Sequence, residues 1–512
     1  CKKTPLMSHE PHDPLANLQD RLANTEDTAR PDAVAKRHGR GGRTARENLA
    51  DLTEDTPVFE YGQLAVAAQR QRREGDALFA ETAADAVITA VGSVNSALFP
   101  ESVARTALII NDYTVLAGTQ GYFHHRKIDR LLALARQDRL PVIMFTEGGG
   151  GRPGDTDVLV LMAGLNVPTF HQWAALSGVV PRIAVNHGYC FAGNAALFGA
   201  ADLRIATANS CIGMAGPAMI EGGGLGAWTP EQIGPVSVHR ENGVIDIVVS
   251  DEAEAVRVAK QVLACVQGPL ADWECSDQEK LAGLMPSNRR YTYDVRKVLY
   301  QVLDKDSFIE TRSEAGRAVV TGLARVEGRA IAVLASDCRH LGGAVDGDAA
   351  VKATALYQLA EKWQLPVVSF IDTPGFMVGP DSEAAGAPRL MSEVFIAGAQ
   401  LTQPIVAVFL RRAYGLGAMA MTGGSFAVPR YAVSWPQGEF GAMGLEGAVQ
   451  LGFRQELAAA PDDAVRQALF DTLLAELYEK GRATEAASYL EIDAVIEPSE
   501  TRAAITSGLG RA

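Results

Sequence analysis

Leu140-Pro141-Val142-Ile143-Met144-Phe145-Thr146-Glu147 runs into Gly148-Gly149-Gly150-Gly151-Arg152-Pro153-Gly154, and Leu365-Pro366-Val367-Val368-Ser369-Phe370-Ile371-Asp372 runs into Thr373-Pro374-Gly375-Phe376-Met377-Val378-Gly379. Both are short apolar runs that end in a carboxylate and a turn, the pattern of a buried strand stopping at a loop. The offset is 225 residues (365 − 140), and it also relates Phe145 to Phe370, Glu147 to Asp372 and Lys127 to Lys352. A repeat of that length is a duplicated domain.

The chain has 512 residues, beyond the size at which one core keeps growing, so two domains of about 200 residues each are expected. A formal charge of −14 leaves no basic surplus for neutralising phosphates and argues against nucleic-acid binding. No apolar run reaches the roughly 18 residues of a membrane span, and no secretory leader follows Cys1-Lys2-Lys3-Thr4-Pro5. A cytoplasmic location is expected. The six cysteines are scattered without metal-ligand spacing, which predicts free thiols in a reducing compartment and no metal site. A first residue that is Cys points to a trimmed chain or a piece of a longer polypeptide.

Residues 1–30 lack a hydrophobic period and are expected to form a weakly ordered tail. Lys36-Arg37-His38-Gly39-Arg40-Gly41-Gly42-Arg43 is a basic cluster broken by glycines, read either as a solvated loop or as a contact for a polyanion such as a nucleotide-like cofactor. Thr44 with Glu47 three residues on predicts a capped helix over 44–52. Strand and helix signals then alternate: strands 107–113, 142–146 and 182–185, a helix over 126–137, and a turn entering a small-residue helix over 187–197. The second half restates this order with strands 330–335, 367–372 and 405–409, helices 350–363 and 389–402, and a turn over 411–419. Such alternation means a sheet with helical crossovers. The expected organisation is a tail, 1–30, a first domain, 31–300, and a second, 301–512.

A glycine-rich turn after a buried strand exposes bare backbone N–H groups. Aimed at a developing negative oxygen these form an oxyanion hole, worth about 3–4 kcal/mol per donor. Aimed at phosphate they form a nucleotide cradle, and Gly149 to Gly154 matches GxGxxG. Acidic Asp155 and Asp157 follow where a pyrophosphate would lie, the strand is not the first of its domain, and the second copy lacks the pattern. Asp372-Thr373-Pro374-Gly375 mimics a GTPase turn, but there is no phosphate-binding GxxxxGK[ST] loop. No GxSxG elbow or local cysteine-protease signature is present. His124, His125 and His187 are read as structural, and Met419, Met421 and Phe426 as core before any acyl pocket.

Five segments in collinear order resemble the carboxyltransferase (β) subunits or domains of biotin-dependent acyl-CoA carboxylases: Gly41-Gly42-Arg43-Thr44-Ala45-Arg46-Glu47-Asn48, Gly149-Gly150-Gly151-Arg152, Phe191-Ala192-Gly193-Asn194, Phe370 to Phe376, and Arg412-Ala413-Tyr414-Gly415-Leu416-Gly417. Glu60-Tyr61-Gly62, Tyr113 to Gln120 and Glu147 to Asp157 are most similar to the branch fused into one polypeptide, the long-chain acyl-CoA carboxylases.

The resemblance implies an α/β fold of two tandem crotonase-like domains of the ClpP/crotonase superfamily, built from duplicated ββα-type units. It implies a carboxyltransferase of fatty-acid metabolism that moves CO2 from carboxybiotin to the α-carbon of an acyl-CoA through a thioester enolate. Two oxyanions arise, so two backbone holes are needed and no side-chain base. Carried over by position, Gly150 and Gly151 form the acyl-CoA hole and Leu416 and Gly417 the biotin hole. Ala192, Gly193, Asn194 and Arg43 contact CoA, Pro374, Gly375 and Phe376 contact biotin, and Met419 borders the acyl pocket. Leu416 and Asn194 stand where the family usually has small residues. No biotinylation motif and no ATP-grasp region is present, so the biotin is expected on a carrier outside this sequence, with biotin carboxylase and biotin carboxyl carrier regions as partners, fused or separate. Dimeric sites within a homo-hexamer are implied. An acyl-CoA decarboxylase and a non-catalytic scaffold subunit are the competing readings.

Overall fold

The computed structural model describes residues 13–158 and 166–510. The first 12 residues of the expected tail lie outside that range. The rest of it is helical from Pro14 to Ala23: Asp13 accepts a hydrogen bond from the N–H of Leu15, and a proline opens the first turn. Arg30 pairs with Asp112 at 2.9 Å. Thr44 and Glu47 form the expected reciprocal capping box on helix Ala45–Thr53.

The chain divides into two compact units, one of residues 1–236 and 248–260, the other of residues 237–247 and 261–512. The first unit is built on strands β1 (Phe59–Glu60), β2 (Val87–Ser93), β3 (Arg105–Asn111), β4 (Val142–Phe145), β5 (Arg182–Asn186), β6 (Tyr189–Phe191), β7 (Leu203–Thr207), β8 (Cys211–Gly213) and β9 (Ile247–Val249). The sheet order is β1-β2-β3-β4-β5-β7-β9, while β6 and β8 form a separate parallel pair. The second unit uses β10 (Ile309–Thr311), β11 (Val319–Val326), β12 (Arg329–Ser336), β13 (Val367–Thr373), β14 (Ile405–Tyr414), β15 (Tyr431–Ser434), β16 (Glu439–Gly441) and β17 (Ala494–Val495). Its order is β10-β11-β12-β13-β14-β15-β17, with β16 beside the end of β14.

The duplication is visible in the pairing. Each sheet begins with antiparallel neighbours and becomes parallel at the strand before the repeated loop: β3 to β4 in the first, β12 to β13 in the second. Phe145 pairs with Ile110 and Val185, and Phe370 with Ala335 and Val408. Every residue of β4 and β13 is buried, as parallel strands covered on both faces must be. Helices Tyr122–Asp138 and Gly347–Trp363 are the matching crossovers, and the repeated lysines lie on them. Both are buried, with ammonium groups capping strand-edge carbonyls: Lys127 donates to Ala84 O at 2.7 Å and to Val87 O, and Lys352 to Val319 O at 2.8 Å. Burial pulls their pKa values down, to about 8 for Lys127 and about 7 for Lys352.

Two boundaries differ from expectation: the first unit ends at residue 260 and not at 300, with 237–247 counted in the second. Residues 411–414 are strand, not turn, because β14 runs to Tyr414 and β16 pairs with its last three residues. The polar Arg411 and Arg412 gave a turn signal in the sequence, but both are neutralised inside the unit.

Candidate functional site

In the first unit the glycine loop is fixed by backbone pairing. Gly148 donates to Tyr189 O at 2.7 Å and Phe191 donates to Gly148 O at 3.0 Å, so the loop continues alongside β6. Gly150 has φ +88°, and a Cβ there would lie 2.9 Å from that of Ala192. The structure therefore brings Gly150 against Ala192 and Asn194, with Gly151 next in the loop.

Asn194 makes the junction. Its side chain is fully buried, its Oδ1 accepts the Gly150 N–H at 3.1 Å, and its Nδ2 donates to Thr146 O at 3.2 Å. This corrects one assignment: the Gly150 amide is already committed and is not a free donor. The Gly151 N–H has no hydrogen-bond partner among the described residues, and the space beside its α-carbon is open. Ala192 precedes helix Gly193–Gly199 with φ 52° and ψ −118°, a conformation that costs an L-residue about 1–3 kcal/mol and recurs at functional sites. The first N–H groups of that helix have no intrahelical acceptor, and no side chain caps them.

Beneath the loop, Glu147 is buried in a charged cluster. Arg37 reaches Glu147 at 2.8 Å and Glu252 at 3.0 Å, while His187 Nδ1 lies 3.1 Å from Glu147 and 3.5 Å from Glu252. Asn48 donates to Glu252 at 2.8 Å. Burial alone lowers the His187 pKa, but Glu147 and Glu252 outweigh it and raise it to about 9. Arg37 lies 2.7 Å from Nδ1 and opposes this shift, yet two buried carboxylates need two cations for balance. For Glu252, burial raises the pKa and His187 and Arg37 more than reverse it, to about 2.

The sign of the linkage follows. A histidine raised from 6.5 to about 9 stabilises the fold fully below pH 6.5, and that contribution disappears as pH rises through 9. The denaturation midpoint of the first unit is expected to fall across this window, and His187→Gln should remove that slope. An unchanged alkaline limb in the variant would show that His187 is neutral in the native protein.

The second unit repeats the design with other residues. Fully buried Asp372 receives Arg411 (Nη2 2.8 Å, Nε 3.1 Å) and Arg412 (Nε 2.7 Å). Arg411 is itself buried and holds the carbonyls of Arg289 and Tyr291 at 2.8 and 2.9 Å, and Arg412 holds Gly342 O at 2.9 Å. The clamp fixes the turn that follows: Gly375 has φ +116°, and its carbonyl oxygen accepts the Val345 N–H at 3.0 Å. Helix Gly415–Met421 starts against this turn, and no side chain caps it. A Cβ on Gly417 would lie 2.5 Å from the Gly375 carbonyl carbon and 2.8 Å from the Phe376 nitrogen. Leu416 and Gly417 are thus brought directly onto Pro374-Gly375-Phe376. Leu416 is 60% exposed, Val378 is exposed beyond the turn, and Phe376 packs edge-on to Phe395 at 6.1 Å. Met419 is half-buried, one turn into the helix.

Helix Gly193–Gly199 is the counterpart of helix Gly415–Met421, since each follows the strand that pairs with a loop strand. The sequence reading set the donors of the two halves at different turns; in the structure both halves offer a helix start beside the repeated loop. Arg43 is held by Asp51 at 2.7 Å, and its N–H donates to Glu252 at 3.0 Å, so its guanidinium is already paired. Arg152 pairs with Asp155 at 2.8 Å and with Asp85, and Asp155 also accepts the Tyr122 N–H, which accounts for the acidic residues after the glycines. His124 and His125 are held low by burial, His125 at about 4, and bond Asp85 O and Thr169. Arg411, Arg412 and the side chain of Asn194 were missed as site residues. Two arginines ending an apolar strand were the available signal, because such charges demand a buried acid.

Among the described residues no group of three or more His, Cys, Asp or Glu side chains is placed to hold a metal ion. The five described cysteines are free, and no helix is long and apolar enough to cross a membrane.

The chain is 27% identical to the propionyl-CoA carboxylase beta chain of Saccharopolyspora erythraea over 97% of its own length and 92% of that protein. It is 31% identical to a biotin-dependent acetyl-/propionyl-coenzyme A carboxylase beta6 subunit of Mycobacterium bovis, covering 83% of this chain and 89% of the other. Among solved structures, a single-chain, multi-domain long-chain acyl-CoA carboxylase superposes with a TM-score of 0.91 at 49% identity. That match covers 97% of this chain, which spans about half (49%) of the other. The transcarboxylase 12S hexamer core with methylmalonyl-coenzyme A bound superposes with a TM-score of 0.84 at 26% identity, covering 99% of this chain and 96% of the other. The duplicated α/β architecture is that of the carboxyltransferase crotonase fold. Residues 36–510 match the carboxyl transferase domain, and the chain belongs to that family.

Proposed function

We propose that this chain is the carboxyltransferase component of a biotin-dependent acyl-CoA carboxylase. The observation that carries the reading is the duplicated helix start: each unit places uncapped backbone N–H groups beside a glycine turn that a buried carboxylate clamps from below. A transfer that develops negative charge on two partners needs two such donor sets, and backbone donors held rigid act without reorganising.

On the acyl-CoA side the donors are the Gly151 N–H together with those of Gly193 and Asn194, and Ala192 fixes the approach. They hold the thioester oxygen as it gains charge. On the other side the Leu416 and Gly417 N–H groups hold an anionic oxygen of the second partner. The residues fit biotin: the close approach of Gly417 to Gly375 leaves a wall of backbone that a Cβ would fill, and Leu416, Val378 and Phe376 add apolar surface. Biotin, carried on another domain or protein, supplies the carboxyl group when bound; Pro374, Gly375 and Phe376 orient it. Biotin carboxylase and carrier regions are the partners, and a homo-oligomer with sites shared between copies is the assembly.

A long acyl group suits the first unit. Met214, Met219, Leu225 and Trp228 are exposed at 72, 66, 73 and 49%, on the segment joined to the site by the Ala192 N–H to Gly213 O bond of 2.9 Å. Apolar side chains gathered on a surface mark a binding face. Met419, half-buried one turn into helix Gly415–Met421, is the residue proposed to border the acyl pocket.

The test is incubation of the protein with free biotin and malonyl-CoA or methylmalonyl-CoA, following CO2 release with and without biotin. Biotin-dependent release is expected. Release independent of biotin would make the protein a decarboxylase, and no release from a folded sample would leave only a scaffold.

A further inference from the structure

The two units hold their repeated loops to a common backbone frame: Gln120 donates to Gly150 O at 2.8 Å, and Val345, 225 residues later, donates to Gly375 O at 3.0 Å. The first unit adds a side-chain clamp with no counterpart among the described residues of the second. Arg152 directly follows Gly151, and its side chain is only 6% exposed. Its Nε donates to Asp155 at 2.8 Å, its Nη1 to Thr119 O at 3.3 Å, and its Nη2 pairs with Asp85. Its backbone N–H donates to Gln120 O at 2.8 Å. At the equivalent positions of the second unit stand Met377 and Glu310, and Glu310 is bonded by Arg296 at 2.8 Å.

Asp85 reaches Arg152 from a strained backbone. Ala84, Asp85 and Ala86 are three consecutive left-handed residues, with φ 49°, 49° and 62°, none of them glycine and all buried. Such conformations persist only where the surroundings over-determine them, and they gather at functional sites. Helix Tyr122–Asp138 supplies the restraint. Lys127 donates to Ala84 O and Val87 O, and His124 Nδ1 lies 3.0 Å from Asp85 O. The helix also makes room for the pair, because it starts after Gly121, where a Cβ would overlap the Arg152 guanidinium. Replacing a buried ion pair by apolar residues is often neutral for stability, so stability alone does not account for this one.

Resting on the function proposed above, we propose that Asp85 and Arg152 are positioning residues that aim the Gly151 N–H at the acyl-CoA thioester oxygen. Gly151 precedes Arg152 in the chain, so the clamp acts on the donor through one peptide unit. Displacing a catalytic group by about 1 Å costs about 100-fold in rate. The charged and titratable groups facing Asp85 are Arg152 and Asp155 from the loop and His124 and Lys127 from the helix. Burial raises the Asp85 pKa to about 6 against the opposing pull of Arg152, so the ion pair is present above that pH and is lost as pH falls through it.

Asp85→Asn tests this, since Arg152 keeps Asp155 in that variant. With malonyl-CoA and free biotin its kcat should fall about 10- to 100-fold while KM stays near the wild-type value, the mark of an interaction made in the transition state. The wild-type loss of kcat below about pH 6 should be absent from it. The amides of Gly148 to Arg152 should exchange hydrogen faster. Asp85→Asn/Arg152→Met, which installs the second unit's residue, should regain thermal stability without regaining kcat. Wild-type kcat or unchanged loop exchange in folded Asp85→Asn, or recovery of kcat in the double variant, would overturn the assignment. Loop exchange needs no turnover, so an inactive wild type whose loop still loosens in Asp85→Asn would sink the carboxyltransferase reading and leave the clamp standing.

Discussion

Gly417→Val is expected to reduce carboxyl transfer by about 100- to 1,000-fold, the loss seen when an oxyanion donor is displaced. The reason is steric and lies in the backbone. A Cβ at Gly417 would meet the Gly375 carbonyl carbon at 2.5 Å and its α-carbon at 2.8 Å, far inside contact distance, and neither atom belongs to a side chain that can rotate away. The helix start must lift from the turn, and the Leu416 and Gly417 N–H groups move with it. Turnover of malonyl-CoA with free biotin measures the effect. Coenzyme A affinity should stay near wild type, because the displaced atoms lie in the second unit. Full activity in a folded variant would place the donors elsewhere.

Asp372→Ala should destabilise the second unit by about 3–5 kcal/mol, the cost of stripping one partner from a buried ion cluster. Asp372 is fully buried with two guanidinium groups on its oxygens, and Arg411 is itself buried, so removal leaves a cation with no route to water. Hydrogen exchange resolves the change locally: the amides of β13 and β14 should lose protection, and those of β4 and β5 should not. Asp372→Asn keeps the shape and some of the hydrogen bonds and should cost less. Equal protection in the alanine variant and the wild type would mean that solvent reaches Arg411.

Much of the fold was legible. The 225-residue offset, the apolar strand runs and the Thr44/Glu47 cap specify two sheets with crossovers, because burial on both faces and local capping leave direct marks on a few neighbouring residues. The site was legible as short stretches and not as a set of donors. Gly150 and Gly151 read alike in sequence, yet Asn194, 44 residues later, takes one amide and leaves the other. Arg411 and Arg412 read as a polar turn, because the acid that neutralises them sits 39 and 40 residues earlier on the neighbouring strand.

The amino-acid sequence by itself determined the duplication, the two carboxylate-and-turn strand ends and the family, since each is written in contiguous residues and their spacing. Only the tertiary structure decided which amides beside the glycine loop are spent and that Gly417 rests on Gly375. Those outcomes depend on which groups meet across strands, and a side chain or an amide has the same identity in sequence whether its partner is water or a buried acid.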